Sequence, residues 1–164
     1  MSHAVSETLR AFYAGHRQQL YTYAVSITRQ REAAEDAIQR AFQPLLSRDA
    51  LPADLRPYVF RCVRNAALDD LRRDQIRQAS IFAVDHPAEP ATPLSVPPLS
   101  AAEVDVQLQR LSPDEREIIV LKIYDDLTFQ EIAELRGVPL PTVASWYRRG
   151  LEKLRALLAK ESLP

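Results

Sequence analysis

The sequence of 164 residues is poor in the residue types that several classes of protein require. Its single cysteine, Cys62, excludes a disulfide framework and a cysteine-based metal site. The three histidines, His3, His16 and His86, are too scattered for a ligand cluster, and we expect His16 to be a packing residue. The three glycines are not adjacent, so the chain lacks a glycine-rich phosphate loop. Because no nucleophile–base pair stands out either, we predict a protein that is not an enzyme and uses no metal or other cofactor.

Long apolar segments are also missing. No stretch approaches the ~18 apolar residues that a membrane span needs. The first residues lack the basic-then-apolar pattern of a secretory signal. A hydrophobic content of 46% is ordinary for a protein with a buried core. We therefore expect a cytoplasmic protein.

The net charge of −1 argues at first against a nucleic-acid partner, but the charge is segregated along the chain. Residues 1–79 carry 12 basic and 9 acidic side chains, and residues 139–164 carry 5 and 2. Acidic side chains dominate between them, with 1 basic and 4 acidic in 80–111 and 3 and 7 in 112–138. This alternation is typical of a protein that contacts a polyanion at two places.

Apolar residues in the first half follow the helical period and show no strand-like alternation. One run starts at Leu9 and a second at Ala34, with steps of three and four residues. We expect Pro44 to end or kink the second helix, because proline lacks the N–H that a helix interior needs. Pro57 is predicted as the first residue of a third helix. The pattern indicates a helical bundle.

A proline-rich stretch, HPAEPATPLSVPP, separates this bundle from the rest of the chain. Such a segment does not support a helix or a central strand, so we predict a linker over residues 80–100. The fold class is then all-α, with two small helical domains, residues 1–79 and 101–164. In the second domain we expect a helix over Ala101–Leu111 and another that starts at Ser112 and runs to about Tyr124, since Ser-Pro-Asp-Glu is a strong helix-start signal.

The chain near its end has the layout of a helix-turn-helix. A short helix, Thr128–Arg136, begins with a capping box in which Glu131 is the partner of Thr128. Gly137 stands where the turn needs a left-handed backbone. Pro139 and Pro141 suit the start of the second helix. In a helix-turn-helix the second helix lies in the major groove of DNA.

The second helix has an apolar face and a polar face. The predicted inward residues are Val143, Tyr147, Leu151, Leu154 and Leu158. Opposite them are hydroxyls and cations that can reach bases and phosphates, namely Thr142, Ser145, Arg148, Arg149, Lys153 and Arg155. Trp146 has two interpretations, a packing residue or an aromatic that faces the DNA backbone beside Arg149. The paired acids Asp69-Asp70 and Asp125-Asp126 are expected to be solvated or to cap helices.

Three ordered segments resemble the extracytoplasmic-function (ECF) sigma factors of bacterial RNA polymerase. The second half resembles their region 4 over LSPDEREIIVLKIYDDLTFQEIAELRGVPLPTVASWYRRGLEKLRALL. The first half resembles their region 2.2 in EAAEDAIQRAF and their regions 2.3–2.4 in LRPYVFRCVRNAALDDLRR. The resemblance implies a two-domain initiation factor that binds RNA polymerase core and directs it to promoter DNA with −10 and −35 elements. The family is often held by a membrane-tethered anti-sigma factor, so that partner is implied as well.

The resemblance also implies site residues. The residues expected to dock on polymerase core are Glu35, Asp36 and Gln39. Those expected near the −10 DNA are Arg61, Arg64, Asn65, Arg72 and Arg73. The loop Ser47–Arg56 is expected to hold a flipped base. Those expected to read the −35 element are Thr142, Ser145, Trp146, Arg148, Arg149 and Lys153.

The chain departs from the family pattern at several of these sites. Arg40 stands where an acid is common, and Pro44 is expected to shorten the docking helix. Ala144 and Trp146 replace two cations of the recognition helix. Two other functions therefore stay open, a stand-alone helix-turn-helix regulator and a protein that binds polymerase or an anti-sigma factor without productive DNA contact.

Overall fold

The structure is a computed structural model that describes residues 3–80 and 106–161. The chain divides into two compact units, Met1–Pro87 and Ala88–Pro164. Regular structure in the described residues is helical throughout, which confirms the predicted all-α class. Most of the predicted linker, residues 80–100, lies outside the described residues. No helix in the described part of the chain is long and apolar enough to cross a bilayer.

The first unit is a bundle of three helices, each in contact with the other two. They are α1 (His3–Thr28), α2 (Arg31–Leu46) and α3 (Leu55–Ser80). Tyr23 of α1 and Phe60 of α3 are fully buried, with ring centroids 5.6 Å apart. Burial of such a side chain stabilises a fold by about 1.5–3 kcal/mol. This core holds α2 and α3 in place, and their outer faces carry the predicted site residues.

The structure tests three predictions made for the first unit. The helix α2 continues through Pro44 to Leu46, so the prediction that Pro44 ends this helix was wrong. Only two helical residues follow this exposed proline, so its missing N–H costs a single bond in the last turn. The helix α3 starts at Leu55, so Pro57 is its third residue and not its first as predicted. An N–H in the first turn of a helix has no intrahelical partner, so the N–H that proline lacks costs no bond there. His16 is a packing residue as expected, since its ring stacks on Phe12 at 4.1 Å between centroids.

The second unit contains α4 (Pro113–Ile119), continued by a π-helical turn over Val120–Tyr124, then α5 (Phe129–Arg136) and α6 (Leu140–Glu161). Before α4 the chain is helical at residues 106–108 and turns at 109–110. The predicted helix Ala101–Leu111 therefore ends three residues early. Its first five residues lie outside the described part of the chain.

The core of the second unit is formed where α6 crosses α4. The buried cluster there comprises Leu108, Leu111, Ile119 and Leu154, with Tyr147 and Leu158 packed against it. Gly150 lets the two helices approach, because a Cβ on this residue would lie 3.0 Å from Ile119 Cδ1 and 3.2 Å from Glu115 Cβ. The close contact fixes the position of α6, the predicted recognition helix.

Candidate nucleic-acid interface

Local signals build the helix-turn-helix that the sequence predicts. The Thr128 hydroxyl accepts a hydrogen bond from the N–H of Glu131 at 3.1 Å, and the Glu131 carboxylate accepts one from the N–H of Thr128 at 3.0 Å. This reciprocal pair starts α5 by satisfying donors that the helix leaves unbonded. Gly137 ends α5 with φ 64° and ψ 37°, the left-handed conformation that glycine adopts without strain. Pro139 precedes α6 and Pro141 lies in its first turn, as predicted.

The helix α6 has the two faces that its sequence indicates. Val143 is fully buried, and Tyr147 packs edge-on against Phe129 with ring centroids 5.3 Å apart. Arg148 and Arg149 are exposed on the other side. Thr142, Ser145 and Ala144 are half-buried near the start of the helix, and Arg155 is exposed further along. The structure therefore brings hydroxyls and two guanidinium groups to the first half of α6.

Lys153 differs from these cations because its ammonium is bonded within the protein. Its ammonium donates hydrogen bonds to both carboxylate oxygens of Glu115, at 2.9 and 3.0 Å. The N–H of Ser112 donates to the same carboxylate at 3.3 Å, which completes the capping box of α4. Burial alone would raise the pKa of Glu115, but the hydrogen bonds from Lys153 and Ser112 outweigh it and hold that pKa below its ordinary value. The Glu115–Lys153 pair joins α6 to α4.

Trp146 packs against a charged cluster that Arg136 forms with Asp114 and Glu117. The guanidinium of Arg136 lies 4.9 Å from the centroid of the Trp146 ring, a cation–π distance. The same guanidinium donates to Asp114 at 2.6 Å and to Glu117 at 2.8 Å, and its side chain is only 9% exposed. The cluster joins α4, α5 and α6, which supports the packing interpretation of Trp146. Arg136 was not among the predicted residues, because its partners are 19 and 22 positions away in the sequence.

The residues predicted to dock on polymerase share one face of α2. Glu35, Asp36 and Gln39 are all exposed, and the side of α2 opposite them is buried. The buried residues are Ala34, Ala37, Ile38, Ala41 and Leu45. The helix thus exposes two carboxylates and an amide on one face, and its opposite face packs against the core.

Arg40 does not join this surface. Its guanidinium forms an ion pair with Asp70 of α3 and donates to the carbonyl oxygen of Ala66 at 3.2 Å. The positive charge that departs from the family pattern is therefore directed at α3. The expectation that Asp69 and Asp70 are solvated or capping was wrong for Asp70, which is this partner, while Asp69 is exposed and lies 3.8 Å from Arg72.

The residues predicted for −10 DNA fall on two sides of α3. Arg61, Asn65 and Arg72 are exposed and follow one another at steps of four and seven, so they lie along one face. Arg64 is half-buried beside them. Arg73, although exposed, lines a cleft between α2 and α3 together with residues of the docking helix. The structure therefore separates Arg73 from the other four.

The loop between α2 and α3 carries an aromatic–cation contact. The guanidinium of Arg48 lies 5.2 Å from the centroid of the Tyr58 ring. Burial raises the pKa of the neighbouring Cys62 thiol, against the lowering effects of a hydrogen bond with Tyr58 and of nearby arginines, so this cysteine stays protonated at neutral pH. The irregular loop ends where α3 starts at Leu55, so the last two residues of the predicted Ser47–Arg56 loop are helical.

The second acidic pair was expected to be solvated or to cap a helix. Asp125 is the C-cap of the π-helical turn, where its N–H donates to the carbonyl oxygen of Val120 at 3.1 Å, and its side chain is fully buried. Asp126 is exposed and adopts a left-handed backbone with φ 55°. Within residues 3–80 and 106–161 no group of three or more histidine, cysteine or acidic side chains is placed to hold a metal ion.

Comparison with known proteins identifies both units. A family model described as Sigma-70 region 2 matches residues 12–77, and one described as Sigma-70, region 4 matches residues 101–154. The RNA polymerase sigma factor CarQ of Myxococcus xanthus is 33% identical over 156 residues, which cover 92% of this chain and 89% of CarQ. The ECF RNA polymerase sigma factor SigE of Mycolicibacterium smegmatis is 30% identical over 154 residues, which cover 90% of this chain and 60% of SigE.

Solved structures share the fold. The sigma factor RpoE from Bartonella quintana, in complex with the anti-sigma factor NepR, has a TM-score of 0.77 at 20% identity. The match covers 93% of this chain and 98% of that one. CnrH in complex with the cytosolic domain of CnrY has a TM-score of 0.66 at 22% identity, over 96% of this chain and 91% of that one.

These findings favour one of the functions that the sequence left open. A stand-alone helix-turn-helix regulator has no need of region 2, yet both region models match in chain order. CarQ is similar over nearly the whole chain. The protein therefore belongs to the ECF sigma factors of the sigma-70 family, which bind RNA polymerase core and promoter DNA and direct promoter-specific transcription initiation.

Proposed function

We propose that the two units divide the work of initiation. The first unit, predicted over residues 1–79, docks on polymerase core through α2 and opens the −10 element with α3. The second unit, predicted over residues 101–164, reads the −35 element with α6. The observation that carries this proposal is the separation of the polar residues in the first unit. Glu35, Asp36 and Gln39 project from α2, and the arginines project from α3.

Opposite charges suit these two faces to different partners. The exposed carboxylates of α2 attract basic protein groups and repel DNA phosphates, because like charges repel. Arg61 and Arg72 on α3 attract phosphates. Extrusion of a base costs a few kcal/mol of stacking and pairing energy, and contacts to the unpaired strand offset this cost. The loop beside Tyr58 is the proposed holder of that base.

The −35 contact rests on the first half of α6. Thr142 and Ser145 lie near its N-terminus, where the helix dipole favours phosphate. Arg148 and Arg149 are exposed one turn later and replace the cations that are missing at Ala144 and Trp146. Lys153 contributes through its bond to Glu115, which holds α6 on α4, and not through the DNA. This arrangement supports a recognition helix that acts through fewer cations than its family pattern.

The site of action follows from the partner. A subunit of RNA polymerase works in the cytoplasm, so we place this protein there. It carries no reaction chemistry of its own in this proposal. RpoE was solved in complex with the anti-sigma factor NepR, and CnrH in complex with the cytosolic domain of CnrY. Their folds support the further proposal that an anti-sigma factor controls this protein.

Two variants with reciprocal effects test the proposal in run-off transcription with core polymerase. Replacement of Glu35, Asp36 and Gln39 by alanine is expected to abolish core binding and all promoter-dependent transcripts, since these exposed side chains form the docking face. Replacement of Arg148 and Arg149 by alanine is expected to preserve core binding and to lower transcription from promoters with a −35 element by about 10-fold or more, since each phosphate or base contact is worth about 1–3 kcal/mol.

Each variant is the control for the other. Circular dichroism checks that both retain helical folds, which is expected because all five side chains are exposed. A triple alanine variant that binds core as tightly as wild type would refute the docking role of α2. Unchanged transcription from the Arg148 and Arg149 variant would refute the proposed −35 contact.

A further inference from the structure

The second half of α3 presents two different polar faces. Arg61, Asn65 and Arg72 lie on one of them. The other carries Asp70, Arg73 and Asp74, spaced three and four residues apart. Neighbouring residues on an α-helix point about 100° apart, so Arg72 and Arg73 address different surroundings. Sequence alone groups the two arginines together, and the helix separates them.

The second face of α3 lies across a cleft from the docking face of α2. Residues from both helices line this cleft, among them Glu32, Asp36 and Gln39 of α2 and Asp70, Arg73 and Asp74 of α3. Asp36 and Gln39 are two of the three residues proposed to contact polymerase. The face of α3 that holds Arg73 and Asp74 is therefore continuous with the proposed docking surface.

The cleft has a defined charge. Arg40 and Asp70 both line the cleft and form an ion pair with each other, so their charges offset. The remaining ionisable side chains of the lining are three exposed carboxylates, Glu32, Asp36 and Asp74, against the single guanidinium of Arg73. A surface with an excess of carboxylates repels DNA phosphates and complements a basic protein surface.

We infer that the polymerase-docking surface extends from α2 across this cleft onto the Asp70–Asp74 face of α3, and that Arg73 belongs to it and not to the −10 DNA face. The occupant is a basic segment of RNA polymerase core. Charge complementarity and continuity with α2 identify this occupant. The inference rests on the proposed docking role of α2 and adds a second helix to it.

Asp74 and Asp69 form a matched pair for testing the extension. Both are exposed acids of α3, but Asp74 lines the cleft and Asp69 lies 3.8 Å from Arg72. Asp74→Lys is expected to weaken binding of core polymerase roughly 10-fold, because it opposes a basic partner across the cleft. Asp69→Lys is expected to leave core affinity within about twofold of wild type, since surface charges outside an interface contribute little. Fluorescence anisotropy of labelled full-length protein, titrated with core polymerase and no DNA, measures both.

Arg73 and Arg72 form a second matched pair, tested with DNA. Promoter opening is followed by permanganate reactivity of unpaired thymines at saturating core polymerase, so that differences in core affinity do not enter. Arg72→Ala is expected to lower opening roughly 10-fold through loss of a phosphate contact. Arg73→Ala is expected to lower opening by a smaller factor than Arg72→Ala does. Circular dichroism verifies that both variants keep their helices.

Two results would overturn the inference, namely core affinity of Asp74→Lys equal to that of wild type, or a loss of opening in Arg73→Ala as large as in Arg72→Ala. Asp36→Lys separates this failure from failure of the proposed function. If Asp36→Lys weakens core binding and Asp74→Lys does not, docking is confined to α2 and only the extension is lost. If neither weakens it, the docking role of α2 is lost too, and the extension with it.

Discussion

The contact of Gly150 with α4 leads to a prediction whose sign can be worked out from the structure. Gly150 lies in the middle of α6 and is buried against α4. A Cβ there would lie 3.0 Å from Ile119 Cδ1, 3.2 Å from Glu115 Cβ and 3.4 Å from the carbonyl oxygen of Glu115. The first two distances are shorter than ordinary van der Waals contact. Gly150→Ala therefore forces α6 away from α4 or displaces the buried side chain of Ile119.

Two opposing effects set the magnitude. Alanine is favoured over glycine inside a helix by about 1 kcal/mol. Overpacking of a close contact costs about 1–3 kcal/mol, and the Glu115 atoms in contact are backbone or next to it, so they yield little. The net expectation for Gly150→Ala is a loss of about 1 kcal/mol. Gly15 of α1 provides the control, because no atom lies within 4 Å of the Cβ it would gain. Gly15→Ala is expected to stabilise the first unit by about 0.5–1 kcal/mol.

The chain offers a clean assay for the second unit. Its single tryptophan lies in α6, so tryptophan fluorescence in a urea titration reports unfolding of that unit. Far-ultraviolet circular dichroism in the same titration follows the helices of both units and reports the effect of Gly15→Ala. The midpoint and slope give the free energy of unfolding for each variant.

A double-mutant cycle isolates the contact. Ile119→Val deletes Cδ1, the nearest atom, and by itself costs about 0.5–1.5 kcal/mol. In that background Gly150→Ala is expected to cost less than in wild type, by about 0.5 kcal/mol or more, since the two residues are in contact. The reasoning about the helix crossing would be refuted if Gly150→Ala stabilised the second unit, or if the two substitutions were additive.

Two ion pairs give further predictions. The folded-state pKa of Glu115 lies below its ordinary value near 4.5, because hydrogen bonds from Lys153 and Ser112 outweigh the effect of burial. Its stabilising contribution is therefore complete above about pH 4.5 and is lost as the pH falls through the lowered value. Glu115→Gln should lower the stability of the second unit at pH 7 by about 1 kcal/mol and remove this dependence of stability on acid pH. Tryptophan fluorescence between pH 7 and pH 3 measures both effects. An acid profile like that of wild type in the variant would contradict the role assigned to Glu115. Arg40→Ala and Asp70→Ala should each destabilise the first unit by about 1 kcal/mol, as measured by circular dichroism. The double variant should lose less stability than the sum of the two single losses, because the two residues are bonded to each other. Strict additivity would show that the pair is not coupled.

Features with local causes were readable from the sequence. The capping boxes at Ser112 and Thr128 and the left-handed Gly137 depend on residues within four positions of one another, so short patterns predict them. The apolar faces of the helices follow the 3.6-residue period for the same reason. The error at Pro44 came from position in the helix, because a proline in the last turn removes a single bond.

The first unit shows the limit of prediction from the sequence. The resemblance to the family assigned Glu35, Asp36 and Gln39 to polymerase docking and the arginines of α3 to the −10 DNA. It did not assign Arg73 to the cleft, since that depends on which side of α3 the bundle turns toward α2. Arg40 of α2 donates to the carbonyl oxygen of Ala66 in α3, 26 positions away, and no local pattern specifies this contact.

The second unit also separates features that the sequence predicts from features that depend on tertiary structure. From the sequence alone came two helical modules, the turn before α6 and the face of α6 that carries its arginines, because hydrogen-bond caps, glycine conformation and helical period act over a few residues. Tertiary structure decided which cations are bonded within the protein. Lys153 is bonded to Glu115, 38 positions away, and Arg136 is clamped between two acids and an indole ring. The sequence of a helix does not distinguish one of its charged side chains from another. Packing against neighbouring helices determines which of them lie within reach of a partner.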